Sequence, residues 1–297
     1  MRIASDTLFR TSTASMQAQT AQLVKVQQQI SSGRQFQHAH EAPAAAASVT
    51  EWEAALARIE AQGDAASRAA HRLGLTENAL DDGRLIMERV QELLISAGNG
   101  SFNDQDRELV AREVESLAEQ WRTLANVKDG SGQALFAGTA LGEAFDVADQ
   151  YLGTTDTRRI EVADGQKIRD GIPGDRIFGD VQGQSSFAWL DAAVTAVREV
   201  DPEIRRAALD DAQSGLTALA LNTELARTEV GVQRAALDRA ATWRDAAGAE
   251  LTQSLSRLRD TDLIEASTTL TQRSTQLSAA QSAYLQVSSL SLFERLR

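Results

Sequence analysis

The chain has 297 residues, a formal net charge of −12 and no cysteine. The acidic balance argues against a nucleic-acid-binding surface, which needs clustered positive charge. The lack of cysteine excludes disulfides, thiolate metal sites and cysteine nucleophiles. No run of about 18 apolar residues is present, and the start of the sequence lacks the apolar core of a secretory signal. We therefore expect neither a transmembrane helix nor a cleaved signal peptide.

The first segment, up to Gly33, is rich in Ser, Thr, Gln and Ala, and after Thr11 its only charge is Lys25. It keeps a single apolar residue per heptad: Phe9, Met16, Leu23 and Ile30. A stable dimeric coiled coil needs two such residues per heptad, and so thin a stripe cannot hold a lone helix in water. The pattern predicts a helix that forms against another helix or a neighbouring chain.

A short polar stretch follows, in which His38, His40 and Glu41 precede Pro43. Two imidazoles and a carboxylate are metal-ligand types, but no third, distant ligand is evident. We interpret the stretch as a solvated linker, and we expect no metal and no other cofactor.

Three long helices are predicted in the middle of the chain. Apolar residues recur at steps of three and four from residue 44 to about 97, where Gly98 and Asn99 end the pattern. Asn103 is a candidate N-cap for a second helix. A third pattern runs from about Pro202 to 258, with the proline in the first turn, where its missing N–H costs little. Helices with this spacing pack side by side in a bundle.

Between the second and third long helices, residues 130–183 hold ten of the chain's 19 glycines. Short β-type runs occur at 134–137, 159–162 and 176–178, separated by turn signals. We predict a small β-rich insert, placed at 140–185. It could be a satellite domain with its own core, a subunit contact or a cell-surface adhesion site.

The last segment mirrors the first. From residue 266 to 293 its only charge is Arg273. Its apolar positions again recur once per heptad, at Leu263, Leu270, Leu277 and Tyr284, and are followed by Leu290, Leu292 and Phe293. We predict that these residues, with the stripe of the first segment, are assembly contacts.

Catalytic and nucleotide-binding patterns are absent from the sequence. The short glycine pairs at 98–100 and 130–132 complete neither a dinucleotide-binding fingerprint nor a P-loop. Carboxylate pairs such as Asp81 and Asp82 are adjacent on a helix and face different ways. No Ser nucleophile elbow is present. We expect no enzymatic activity.

Five stretches together resemble one protein family, the bacterial flagellins and their hook-associated relatives. These stretches are residues 30–34 (ISSGR), 126–138 (NVKDGSG then LFAG), 229–234 (EVGVQR), 260–266 (DTDLIEA) and 290–296 (LSLFERL). The two ends are similar to those of the members at the hook–filament junction. One departure is His38 to Glu41, where relatives carry paired Asp before the proline.

The resemblance implies a mainly α fold: a long antiparallel helical bundle formed by both chain halves, with a small β-rich inserted outer domain. Residues 1–42 and 259–297 would pair as the inner assembly layer, 43–139 and 186–258 would form the bundle, and 140–185 the outer domain. The implied partners are the first hook-associated protein, flagellin, further copies in a ring, and an export chaperone on the C-terminal segment. The implied location is extracellular, after type III export.

Two alternatives stay open at this point. One is a minor or short flagellin that polymerises into filament. The other, from a different class, is a cytoplasmic coiled-coil scaffold or signalling protein.

Overall fold

A computed structural model of the chain describes residues 2–99 and 102–294, with side chains for Thr7, 9–99 and 102–286. The helices are α1 (Arg2–Ser32), α2 (Pro43–Ala97), α3 (Asp104–Ala125), α4 (Asp175–Phe178), α5 (Ser186–Arg198), α6 (Pro202–Arg259) and α7 (Leu263–Glu294). The strands are β1 (Arg159–Ala163), β2 (Gln166–Arg169), β3 (Asp180–Val181) and β4 (Gln184–Ser185), paired as two antiparallel hairpins. The predicted mainly α fold with a small β-containing region is confirmed.

The chain divides into two compact units. The terminal unit comprises Met1–Arg58 and Ala247–Arg297, and the central unit comprises Ile59–Ala246. Residues 140–185 therefore belong to the same compact unit as the middle helices. The division into three layers that the family resemblance implies stays a prediction.

The ends of the long helices follow from local chemistry. Asn103 caps α3: its side chain accepts from the Asp106 amide at 2.9 Å, and Asp106 accepts in return from the Asn103 amide at 3.2 Å. This capping box satisfies two backbone donors that the first turn leaves free. α6 begins at Pro202, where the Asp201 carboxylate accepts from the Glu203 amide at 2.9 Å. Both predicted helix starts are confirmed.

An aromatic cluster forms the centre of the central unit. Phe178 lies 4.8 Å from Trp121, 5.1 Å from Phe136 and 5.8 Å from Phe145 between ring centroids. The Trp121 indole N–H donates to the Ser186 hydroxyl at 2.9 Å, and this hydroxyl donates to the Phe178 carbonyl at 2.7 Å. The buried polar atoms of the cluster are thus paired, as stability requires.

Two of the three predicted β runs were wrong. Residues 134–137 form a buried irregular turn, in which Ala134 makes an isolated bridge to Lys128. Residues 176–178 lie in the short helix α4. Only 159–162 is a strand, within β1. Apolar runs this short do not distinguish a helical period from a strand period, so tertiary contacts determine the conformation of their backbone.

The β1–β2 hairpin packs onto the long helices of its own unit. Gln62 of α2 donates to the Asp164 carboxylate at 3.0 Å, and Arg244 of α6 donates to the Val162 carbonyl. The Arg169 amide donates to the Gln233 side chain of α6 at 3.1 Å. These contacts make the hairpin part of the unit's core rather than a detached lobe.

In the terminal unit, short backbone contacts join the turn after α1 to the turn before α7. The Gln35 amide donates to the Arg259 carbonyl at 2.7 Å, and the Thr261 amide donates to the Gly33 carbonyl at 2.9 Å. Gly33 has φ = +68°, the left-handed conformation that ends a helix and favours glycine. The glycine of the ISSGR stretch is therefore required by geometry.

Candidate assembly surface

α1 and α7 pack against each other within the terminal unit. Phe9 and Tyr284 meet edge to face, with ring centroids 5.6 Å apart. Beside them lies an open cavity of about 350 Å³, lined in part by Met16, Ala280 and Ala283. The helix pair thus retains an apolar groove that its own side chains do not fill.

The residues predicted as assembly contacts fall into three groups. Seven are partly buried, which leaves part of each side chain open: Phe9, Met16, Leu23, Ile30, Leu270, Leu277 and Tyr284. Leu263, at the first position of α7, is 54% exposed. Leu290, Leu292 and Phe293 lie in the last turns of α7, and their side chains are outside the described part of the structure. Their roles as contacts stay a prediction.

The hydroxyl groups on α1 and α7 share a feature that the heptad pattern of the sequence does not reveal. In α1, the side chains of Thr11, Thr13 and Thr20 each donate to the carbonyl four residues earlier, at 2.8–2.9 Å. In α7, the same bond is made by Thr268, Thr271, Thr275 and Ser282, at 2.8–3.0 Å. A hydroxyl that already donates to a carbonyl of its own helix can be buried at a lower free-energy cost, because the large cost applies to a hydroxyl buried without a hydrogen bond.

Charge near the exit of α1 is locally compensated. Lys25 lies 3.2 Å from the Glu41 carboxylate, and the Lys25 hydrogen bond is the largest cause that lowers the pKa of Glu41. At the other turn, the Ser256 hydroxyl and then Arg259 lower the pKa of Asp260. The carboxylates of Glu41 and Asp260 thus lie in the segments between helices, each beside a positively charged side chain.

A buried arginine organises the loop after α3 in the central unit. Arg72 donates to the Asp129 carboxylate at 2.5 Å and to the carbonyls of Ala134 and Leu135 at 2.8 and 3.2 Å. Its Nε lies 4.0 Å from the Asp170 carboxylate, and burial is the main cause that lowers the pKa of Arg72. A cavity of about 630 Å³ opens beside it. Because the Arg72 guanidinium donates to three residues of this loop, it holds the loop in place.

Asn126 fixes the other end of this loop. Its side-chain oxygen accepts from the amides of Ala144 and Phe145, both at 2.9 Å, and its amide group donates to the Phe145 carbonyl at 3.0 Å. The 126–138 stretch that resembles flagellins is therefore a loop-forming element held by Asn126 and Asp129. It places Phe136 in the aromatic cluster.

The histidine pair shows a stacked geometry, with the ring centroids of His38 and His40 5.5 Å apart. Within residues 2–99 and 102–294, no group of three or more His, Asp or Glu side chains is arranged to hold a metal ion. None of the helices in that part of the chain is long and apolar enough to cross a bilayer.

Long helices from both chain halves, with charge-poor end helices that pack against each other, define a mainly helical protein whose two terminal helices pair. Residues 6–140 match the family described as bacterial flagellin N-terminal helical region. The chain is 26% identical to flagellar hook-associated protein 3 of Escherichia coli over 99% of both proteins. It is 27% identical to that of Salmonella typhimurium over 78% of this chain and 80% of the relative. Flagellin of Bacillus subtilis is also 26% identical, over 71% of each chain.

Solved structures show the same fold. The crystal structure of Xanthomonas campestris FlgL matches with a TM-score of 0.62 at 22% identity, covering 69% of this chain and 99% of that one. The chain is thus similar to the bacterial flagellins and their hook-associated relatives. Its end-to-end similarity is to the hook-associated members, whereas the flagellin match covers a smaller share of the chain.

Proposed function

We propose that this chain is a structural component of the flagellar axis at the hook–filament junction, acting by assembly rather than by catalysis. The observation that carries the proposal is the end-to-end similarity to flagellar hook-associated protein 3, together with the paired, charge-poor helices α1 and α7. Flagellin of B. subtilis matches over less of the chain, so the alternative of a minor flagellin has weaker support.

In this proposal the chain contacts the first hook-associated protein on one side and the first flagellin subunits on the other. Further copies complete a ring, and an export chaperone holds the C-terminal segment beforehand. The chain would reach this extracellular site through the flagellar export channel without a cleaved signal. The partly open stripes on α1 and α7 support such contacts, because apolar side chains that are half covered in one copy gain by burial against a neighbour.

The test is electron microscopy of a strain that lacks this chain, with its culture medium assayed for flagellin. We expect bare hooks and unpolymerised flagellin in the medium, because export continues while the filament has no base. Normal filaments would overturn the proposal. The number of copies per flagellum distinguishes the proposal from the alternative of a minor flagellin, since a filament subunit is abundant and a junction subunit is scarce.

A further inference from the structure

The central unit carries a second apolar stripe on α6 that the fold itself does not cover. Leu221, Leu225, Val232 and Trp243 are 61%, 60%, 57% and 47% exposed. At 3.6 residues per turn these four positions fall within about 40° of one another and extend over about 33 Å of the helix. We call them the outer stripe.

The opposite side of α6 already faces the core of the central unit. Its buried residues there are Leu216, Leu219, Thr223, Ala226, Val230 and Leu237. A surface helix of a globular protein normally has one apolar stripe, and a helix that is apolar on two opposite sides is normally covered on both. The outer stripe is therefore a surface for which a partner is expected.

The outer stripe has the same local chemistry as the terminal helices. Within about 50° of its line, the remaining positions from 217 to 246 are Ala218, Thr228, Ala236, Arg239 and Ala246, which include one charge. The Thr228 hydroxyl donates to the Glu224 carbonyl at 3.0 Å. At the margins of the face, Thr217 and Thr242 make the same bond to the carbonyl four residues earlier, at 2.8 and 3.0 Å. The face can be buried with little loss of hydrogen bonding.

Resting on the proposed function, we propose that the outer stripe docks a second copy of this chain, the neighbour in the ring. The net charge of −12 makes two copies repel each other, so a face between them must carry few charges, as this face does. A basic partner would instead be expected to bind a face of the chain that carries carboxylates. Standard stable interfaces use about 20–30 residues a side, many more than this stripe supplies. The contact through the outer stripe is therefore too small to be stable alone, and it holds only together with the pairing of the terminal helices.

The test is site-specific photo-crosslinking in isolated hook–filament preparations. The photoreactive residue p-benzoylphenylalanine replaces Leu225 or Trp243, and in a matched control it replaces Asp238, an exposed residue on a charged flank of α6. With the photoreactive residue at position 225 or 243, we expect a crosslink between two copies of this chain. With it at the control position 238, we expect no such crosslink. An adduct with flagellin or another protein, or no adduct from either stripe position, would overturn the proposal.

A charge variant separates this inference from the proposed function. The double variant Leu225→Glu with Val232→Glu changes two exposed side chains, so it should keep the wild-type melting temperature. Expressed in the deletion strain, it should lose filaments under shear that leaves wild-type flagella intact. If it supports wild-type shear resistance while the deletion strain has bare hooks, the outer stripe is not an interface and the junction function stands. If the deletion strain grows normal filaments, the proposed function itself fails.

Discussion

Phe9 and Tyr284, near opposite ends of the chain, meet edge to face with ring centroids 5.6 Å apart. Aromatic pairs in this arrangement are worth about 0.5–1.5 kcal/mol beyond the area they bury. The two thin heptad stripes therefore meet in the structure, and each supplies part of the apolar surface that the other lacks. Each stripe remains partly open, and this open part is what we expect a neighbouring subunit to cover.

A charge placed in this seam should prevent assembly. Leu270→Asp and Leu277→Asp each put a carboxylate at a partly buried position that we expect assembly to cover further, at a cost of several kcal/mol unless the group is protonated or paired. Each variant should abolish motility in a deletion strain. Motility is measured by swimming in soft agar, with secretion of the variant checked by immunoblot.

The matched control is Gln272→Asp, which places the same charge at an exposed position on another side of α7. It should swim like the wild type. Full motility of both leucine variants would contradict a buried seam at these positions.

The sequence was informative where structure is local and periodic. The long helices, the Asn103 cap and the start of α6 at Pro202 follow from spacing and from the chemistry of single residues. The backbone of residues 134–137 could not be derived this way, because Phe136 is placed by contacts with Phe178 from a distant part of the chain.

The candidate surface was predictable to a similar extent. The stripes on α1 and α7 are visible as heptads, and the structure brings them together. The back-bonded hydroxyls need a helical backbone to be recognised. Buried Arg72 offered one signal in the sequence, a charge in an apolar helical pattern, but its partners Asp129 and Asp170 lie far along the chain.

Arg72→Ala should destabilise the protein by about 3–5 kcal/mol, because it removes a buried guanidinium that donates to the Asp129 carboxylate and to the carbonyls of Ala134 and Leu135. Urea unfolding followed by tryptophan fluorescence measures the change, since Trp121 and Trp189 are buried in the same unit. Arg68→Ala, which removes an exposed arginine one turn away, is the control and should change the free energy of unfolding by less than about 0.5 kcal/mol. Equal effects of the two variants would exclude a special role for Arg72.

Asp129 predicts a pH dependence of stability. Burial acts to raise the pKa of Asp129, but hydrogen bonds from the Ser131 hydroxyl and the amides of Gln133 and Ser131, with the Arg72 charge, lower it below its ordinary value of 3.8. A carboxyl whose pKa is lower in the folded state contributes stability above its unfolded pKa and loses it as the pH falls through the folded value.

The advantage of the wild type over Asp129→Asn should therefore be full at neutral pH and shrink as the pH falls below 3.8. Unfolding free energies of both proteins, measured in urea across that range, check the expectation. If the two unfolding free energies differed by the same amount at every pH, the charge of Asp129 would make no contribution to stability.

Two glycines of α6 should respond to alanine in opposite directions. A Cβ on Gly215 would overlap the Trp189 ring, so Gly215→Ala should cost about 1–3 kcal/mol by overpacking. A Cβ on Gly231 meets nothing within 4 Å, so Gly231→Ala should stabilise the helix by about 0.5–1 kcal/mol. Thermal unfolding by circular dichroism distinguishes them, and a Gly215→Ala variant as stable as the wild type would refute the close packing of α5 on α6.

We expect the paired terminal helices to form the junction and the central unit to fold without them. The most direct measurement is electron microscopy of a deletion strain that produces the chain truncated after Leu277, with circular dichroism of the same purified truncated protein. We predict bare hooks from the strain and a folded, helical protein in solution. Hooks that carry normal filaments in this strain would contradict the account.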